Sequence, residues 1–322
     1  MAIVTPATTA VHSKLVDPGV KKIFFDEYKQ YAPKLERLFN VSSSSALYNE
    51  YMAYAGLSEA PLVEEGGTYT EDAIVPTYGT TLTQKKYGFL VPVSYELGKF
   101  QFDKIAGKVQ TAARALVRKY EGLASDVLNN AFSTSYTSFG DGLPLASTAH
   151  TSASGGSNQS NASATGITLT EANLETGIVA MREQLDDRGN MVDIVPNKII
   201  VPPALEKEAL IITKSDKRSD SADNDANVYK MREYTGGMLD VIVWDYIGAA
   251  AGGSDTAWFL ADSAHNKMMW EWSEKPMIEK LSDAVGAKND IMYWKARFMA
   301  AYGWADFRGF WASKGDGAAY AS

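Results

Sequence analysis

The chain has no cysteine among its 322 residues and only three histidines, His12, His150 and His265. The first absence excludes disulfides, thiolate catalysis and cysteine-ligated metal, and fits a reducing compartment. The second leaves zinc hydrolysis without support, because the histidines are far apart and none stands in a His-Glu-x-x-His frame. Each reads as a structural or surface residue. No stretch approaches the roughly 18 consecutive apolar residues of a membrane span, and Met1 to Val16 holds no apolar run framed by basic residues and a cleavage site. The expectation is a soluble protein made in the cytoplasm, with no membrane partner. A Gly-x-x-x-x-Gly-Lys loop, a strand-linked Gly-x-Gly-x-x-Gly and a Gly-x-Ser-x-Gly elbow are also missing. Asp223-Asn224-Asp225-Ala226-Asn227 begins like a calcium loop, but Val228 stands where glycine is needed and Tyr234 where glutamate is needed. No catalytic, cofactor-binding or metal residue is assigned, and an enzyme is not expected.

What is present points to assembly. Tyr87, Phe89, Val91, Val93 and Tyr95 alternate onto one face of a strand, while Gly66-Gly67 and Gly79 mark the bends of an extended arm over residues 63–98. Directly after it, Ile105, Val109, Ala112, Leu116, Tyr120, Leu123, Val127 and Ala131 step by three or four. That spacing keeps one apolar stripe on a helix from about Asp103 to Phe132, roughly 45 Å long at 1.5 Å per residue. An arm that cannot form a core of its own, run into so long a helix, is built to be shared between subunits.

The net charge of −8 is unevenly spread. Residues 63–98 carry Glu64, Glu65, Glu71, Asp72 and Glu96 against Lys85 and Lys86, a balance of −3. Residues 99–132 come to +3 and residues 133–286 to −10. An acidic arm would attract a basic helix of another subunit at close contact, within a Debye length of about 8 Å. Solvated faces of ordinary elements are the plainer reading of the same charges. The pair Asp186 and Asp187 reads as a solvated turn. Trp294, Phe298, Tyr302, Trp304, Phe307, Phe310 and Trp311, with Arg297 and Arg308 between them, read as core and interface, because an acidic chain lacks the basic footprint of a nucleic-acid binder.

Elsewhere Pro18 is expected to open a helix with Val20, Ile23, Phe24 and Tyr28 on one face, which Pro33 interrupts before Leu35 and Leu38. Ser42 to Ser45 read as a polar break, and Pro76 and Pro92 as marks of edge strands. Residues 151–166 read as a flexible loop. Thr170 is a plausible N-cap for a helix carrying Leu174, Ile178, Met181 and Leu185, which ends in the turn Asp187-Arg188-Gly189-Asn190. Asn197 to Val201 form a buried-type strand, followed by a helix with Leu205, Ala209 and Ile212. Lys214 to Asn227 read as a mobile loop. Val241 to Trp244, Trp258 to Leu260, Met268 to Trp272 and Ile291 to Trp311 are strand-like.

This order of parts resembles the major capsid protein of tailed double-stranded-DNA phages, the Hong Kong 97-type coat fold, near the Mu-like major head subunits. The residues that carry the resemblance run from Asp141-Gly142-Leu143-Pro144-Leu145-Ala146-Ser147-Thr148-Ala149-His150 through Leu174 to Met181, Asp187-Arg188-Gly189 and Pro196 to Glu206. They continue in Trp258-Phe259-Leu260-Ala261-Asp262 and Tyr302-Gly303-Trp304-Ala305-Asp306-Phe307-Arg308-Gly309. The resemblance implies an α+β fold: an N-terminal arm at 1–62, an E-loop hairpin at 63–98, a peripheral domain with the spine helix at 99–150, an axial domain at 151–300 and a C-terminal return to the peripheral domain at 301–322. It also implies hexamers and pentamers closing an icosahedral shell around packaged double-stranded DNA, assembled in the host bacterial cytoplasm. Partners would be the chain itself, a portal and a decoration protein. With about sixty residues before the E-loop, a separate scaffolding protein is expected. Candidate inter-subunit contacts are Glu64, Glu65, Glu71, Asp72, Lys85, Lys86, Lys104, Lys108 and Arg118. An encapsulin-type compartment on the same fold, or an enzyme on an unfamiliar α/β fold, are the other readings.

Overall fold

The computed structural model describes residues 9–31, 33–94, 96–97, 102–153, 156–217, 226–230, 239–281 and 291–318. Tyr95, Asp223, Asn224, Asp225 and Tyr234, and the side chain of His12, lie outside the described residues. Helix α1 (Thr9–Lys29) leads to a single turn, α2 (Leu35–Leu38), and strand β1 (Asn40–Ser43). Strands β2 (Tyr48–Tyr54) and β3 (Pro76–Thr83) form an antiparallel pair, and β4 (Lys85–Ser94) follows after Gln84 alone. Helix α3 (Phe102–Asn129), α4 (Glu171–Arg182), β5 (Lys198–Val201) and α5 (Glu206–Lys214) come next. Strands β6 (Asp240–Val243), β7 (Trp258–Ala261), β8 (Met268–Lys280), β9 (Ile291–Trp304) and β10 (Phe310–Ser313) complete the described chain.

One sheet has the order β1-β8-β9-β4 and a second the order β10-β7-β5-β6. The expected stripe from Ile105 to Ala131, whose last residue lies just past the end of α3, is buried throughout and lies in the same core as Val91 and Val93 of β4 and Trp270 and Trp272 of β8. Tyr120 is the hub: its ring meets Trp272, Phe298 and Trp270 edge-on at 5.6, 6.2 and 6.5 Å, the geometry that aromatic quadrupoles favour. Val20 and Phe24 of α1, with Leu35 and Leu38, cover the same core.

The second sheet is buried on both faces. Ile199 and Val201 pack with Leu174, Ile178 and Met181 of α4, while Ile200 between them joins the core of α3. Trp258 and Leu260 against Phe259, and Trp311 against Phe310, divide the same way. A continuous apolar run is what a strand covered on both faces requires. Thr170 caps α4 as expected, its side chain accepting from the Asn173 backbone N–H. Gly177 lets the helix approach closely, since a Cβ there would sit 3.0 Å from Leu260 Cδ1 and from the Trp311 ring.

Several expectations are corrected. The segment 63–98 does not form the hairpin: β2 and β3 do, joined by residues 55–75, and β4 pairs with β9 from Lys85↔Ala300 to Ser94↔Ile291. The alternation in 85–94 arises because Val91 and Val93 face the α3 core, and a body strand and an arm strand give the same pattern in sequence. β8 and β9, within or running past 151–300, pair with β1 and β4, while β10 joins the second sheet. Ser42 and Ser43 lie in β1, which pairs in parallel with β8 although its side chains are exposed, so backbone hydrogen bonding left no apolar signature. Pro18 lies inside α1; the face marked by Val20 and Phe24 begins only after it. Asp187 is buried and meets Arg308 at 3.0 Å, with Asp306 on the other side at 3.2 Å, so it is not a solvated turn residue.

Glu121, on α3, is buried and its carboxylate accepts from the Leu35 backbone N–H at 3.5 Å. Burial, only partly offset by backbone hydrogen bonds from Leu35 and Lys34, pushes it up to about 7. A carboxyl raised in the folded state contributes fully below its ordinary value, and that contribution is lost as pH rises through about 7. Glu121→Gln removes the titration, so its stability relative to the parent should improve by about 2 kcal/mol between pH 5 and pH 8 in urea unfolding; a difference that stays constant with pH would refute the assignment. Gly177→Val should cost roughly 1–3 kcal/mol in the same measurement, because Leu260 and Trp311 leave no room for it.

Candidate assembly surface

The hairpin, its loop and the adjoining Leu47 carry half of the large exposed apolar side chains of the described chain. Leu47, Tyr48, Met52, Tyr54, Leu57, Ile74 and Val75 are exposed, Leu62 is 91% exposed and Tyr69 82%. Scattered apolar residues on a surface are ordinary, but a run of them along one ribbon and its loop makes that element the candidate interaction site. Glu64, Glu65 and Glu71 lie exposed among them.

The root of this arm is fixed by Glu271 of β8, a carboxylate only 1% exposed. It accepts hydrogen bonds from Asn49 Nδ2 at 2.8 Å, from the Tyr51 hydroxyl and from Gln84 Nε2 at 3.4 Å. Burial, then the hydrogen bond and charge of Glu271, push the Tyr51 hydroxyl up to about 12, so the phenol remains a donor. On the other side of the ribbon, Thr80 Oγ1 donates to Ser138 O, and Gly79 passes so close to Gly140 that a Cβ on Gly140 would sit 2.8 Å from Gly79 O.

On the body, β4 and the N-terminal half of α3 leave an open groove of about 630 Å³ between them. Phe89, Leu90 and Pro92 line one wall, and Lys104, Lys108 and Thr111 the other. The lysines rim an apolar floor, and Lys108 Nζ donates to Pro92 O at 3.3 Å. Both groove walls arise from simple rules: β4 is an edge strand, as Pro92 suggested, and α3 turns its polar stripe away from the core.

The sequence-derived contact residues are therefore distributed unevenly. Lys104 and Lys108 come together at the groove, and Arg118 continues the same exposed side of α3. Lys85 and Lys86 are exposed but begin β4, in the body rather than the arm. Asp72 is engaged within the chain by Arg188 at 3.1 Å, which separates it from Glu64, Glu65 and Glu71. Sequence reasoning missed Glu271, Tyr51, Phe89 and Leu90 as site residues. A lone acid inside the apolar run Met268 to Trp272 was the available signal for the first.

The remaining candidates for chemistry are structural. His150 stacks on Phe307 at 3.9 Å, with Nδ1 2.6 Å from Asp141 Oδ2 and Nε2 3.2 Å from Asn161 Oδ1. His265 Nδ1 lies 2.6 Å from Asp262 Oδ2. Trp294, Phe298, Trp304, Phe307, Phe310 and Trp311 are buried, so their rings are not offered for base stacking. Among the described residues no group of acids and histidines could hold a metal ion, and no helix is long and apolar enough to cross a membrane.

The same fold occurs in solved structures of low sequence identity. A structure from Microbacterium phage Oxtober96 is 16% identical, with a TM-score of 0.55 over 87% of this chain and 90% of that one. The capsid of cyanophage P-SCSP1u is 13% identical, with a TM-score of 0.54 over 87% of each chain. The capsid of an empty GTA particle is 12% identical, with a TM-score of 0.53 over 87% and 88%. No curated protein matches the chain in sequence. The family model described as phage capsid protein matches residues 77–313, most of the chain, and the chain belongs to that family.

Proposed function

We propose that this chain is the major head subunit of a tailed phage, a non-enzymatic protein that forms hexamers and pentamers and closes an icosahedral shell around double-stranded DNA. The observation that carries the proposal is the arm: its exposed apolar residues, from Leu47 to Val75, are left uncovered by the rest of the described chain. An isolated subunit gains nothing from that surface, whereas coat interfaces bury thousands of Å² in assemblies of this kind. In this reading the β2–β3 hairpin with residues 55–75 is the E-loop, and α3 is the spine helix. The arm of one subunit lies over the β4–α3 groove of its neighbour, where Glu64, Glu65 and Glu71 approach Lys104, Lys108 and Arg118. DNA is enclosed without sequence readout, consistent with a net charge of −8. A separate scaffolding protein, a portal and a decoration protein complete the partners, and assembly takes place in the host bacterial cytoplasm.

Purified protein examined by size-exclusion chromatography and negative-stain electron microscopy should give shells, tubes or ring-shaped capsomers, with scaffold supplied if needed. A small oligomer that persists with its scaffold present would return an enzyme to consideration. Shells holding protein and no nucleic acid would indicate an encapsulin-type compartment. Two groups of substitutions test the contact itself. Leu62→Ser with Tyr69→Ser should abolish shells while leaving thermal unfolding unchanged, as anchor residues of this type contribute about 1–3 kcal/mol each at an interface. Reversing Lys104, Lys108 and Arg118 to Glu should cut shell yield most at low salt; an unchanged yield would remove the charge pairing from the proposal.

A further inference from the structure

The loop of the arm is gripped by its own chain, at a point well beyond the root. The grip begins in the turn after α4. There Asp186 accepts hydrogen bonds from the backbone N–H groups of Arg188 and Asn190 and from Asn190 Nδ2, each at 2.8 Å. Burial works to raise the Asp186 carboxyl, but these hydrogen bonds prevail and hold it below the usual carboxylate range. Gly189, at φ +88°, completes the turn.

The turn presents two side chains to both legs of the loop. Arg188 Nη1 donates to Ser58 Oγ at 2.8 Å and lies 3.1 Å from Asp72 Oδ1, while Nη2 donates to Ala73 O at 2.6 Å. Asn190 Nδ2 donates to Leu57 O at 3.2 Å. Leu57 and Ser58 belong to the outgoing leg, Asp72 and Ala73 to the returning one, and the Ser58 N–H donates to Asp72 Oδ2 at 2.7 Å between them. Gly56 runs so near Asp186 that a Cβ there would lie 2.9 Å from Oδ2. One planar guanidinium thus ties two chain segments to the body, a task its fixed fork of donors suits better than a lysine ammonium.

We propose that Arg188 is a clamp that sets the direction of the arm in the free subunit, so that residues 59–71 project along one line before any neighbour is present. A two-stranded ribbon is marginal by itself, and Glu271 on one strand with the Gly79 and Thr80 contacts on the other hold only its base, as one fixed point. A second fixed point defines a line where one point defines only a pivot. The gain is pre-organisation: a segment already held in its working direction loses less freedom when it docks. The clamp concerns the single subunit, so it stands or falls apart from the assembly reading above.

The absence of cysteine allows a direct test. Spin labels on Leu62→Cys in the arm and Glu175→Cys on α4, with labelled subunits diluted in unlabelled chain, give an intramolecular distance by pulsed electron paramagnetic resonance. The parent should show one narrow distance. Arg188→Ala should lose it and show a broad distribution, with Arg188→Lys between the two. Ser58→Ala with Asp72→Ala, which removes the arm's side-chain partners and leaves the turn intact, should broaden it likewise. Near-ultraviolet circular dichroism of the buried tryptophans checks that each variant is folded. A distance that stays narrow and unshifted in either folded variant overturns the clamp.

Discussion

The apolar stripe of α3 must be covered along nearly its whole length, and its cover comes from widely separated parts of the chain. Val20 and Phe24 of α1, Leu35 and Leu38, Val91 and Val93 of β4, Trp270 and Trp272 of β8, Phe298 of β9, and Trp244 with Ile247 all enter one core. Apolar burial is worth about 25 cal/mol for each Å², so no single local segment could stabilise a helix of this length. The order of events is constrained accordingly: α3 is secure only once β8 and β9, far along the chain, have paired and presented their aromatic face. The both-faced burial of the second sheet extends the same core, since Ile200, Phe259 and Phe310 turn toward it while their neighbours turn toward α4.

A body so thoroughly packed makes the arm's surface more telling. The large aromatics that most resemble a binding platform in the sequence are consumed by the interior, whereas the arm displays Tyr48, Tyr54, Leu62 and Tyr69. Its polar groups are placed where they stiffen the ribbon. Glu271 is buried among neutral donors, and removing any one of them would leave a desolvated carboxylate under-satisfied. Membership in the phage capsid protein family and the shared fold agree with a molecule whose work is done by its surfaces.

Much of this was legible in the sequence where a single periodicity dominates. The stripe from Ile105 to Ala131, the Thr170 cap and the Ile199 to Val201 strand need only local rules, and the structure places each as those rules require. The failures share a cause. β1 is held by backbone pairing with β8 across more than two hundred residues, and β4 reads as an arm strand because alternation reports a buried face without saying what buries it. Arg188 and Asn190 act through partners remote in the chain, so composition and spacing could not single them out, and for Glu271 the lone acid in an apolar run gave no hint of which segment it holds. The charges of Lys104 and Lys108 were legible, but the groove they rim was not, because its other wall belongs to β4.

The single residue between β3 and β4 has a mechanical meaning. With only Gln84 between them, the returning strand of the arm continues almost directly into the edge strand of the body. A pull on the arm directed along β4 therefore enters that strand at its first residue. The hydrogen bonds of an antiparallel ladder lie perpendicular to the strands, so the pairs from Lys85↔Ala300 to Ser94↔Ile291 are loaded together in shear instead of peeling one after another. The subunit transmits a pull from its outermost loop into its central sheet through its most extensively paired edge, as a tendon runs into bone.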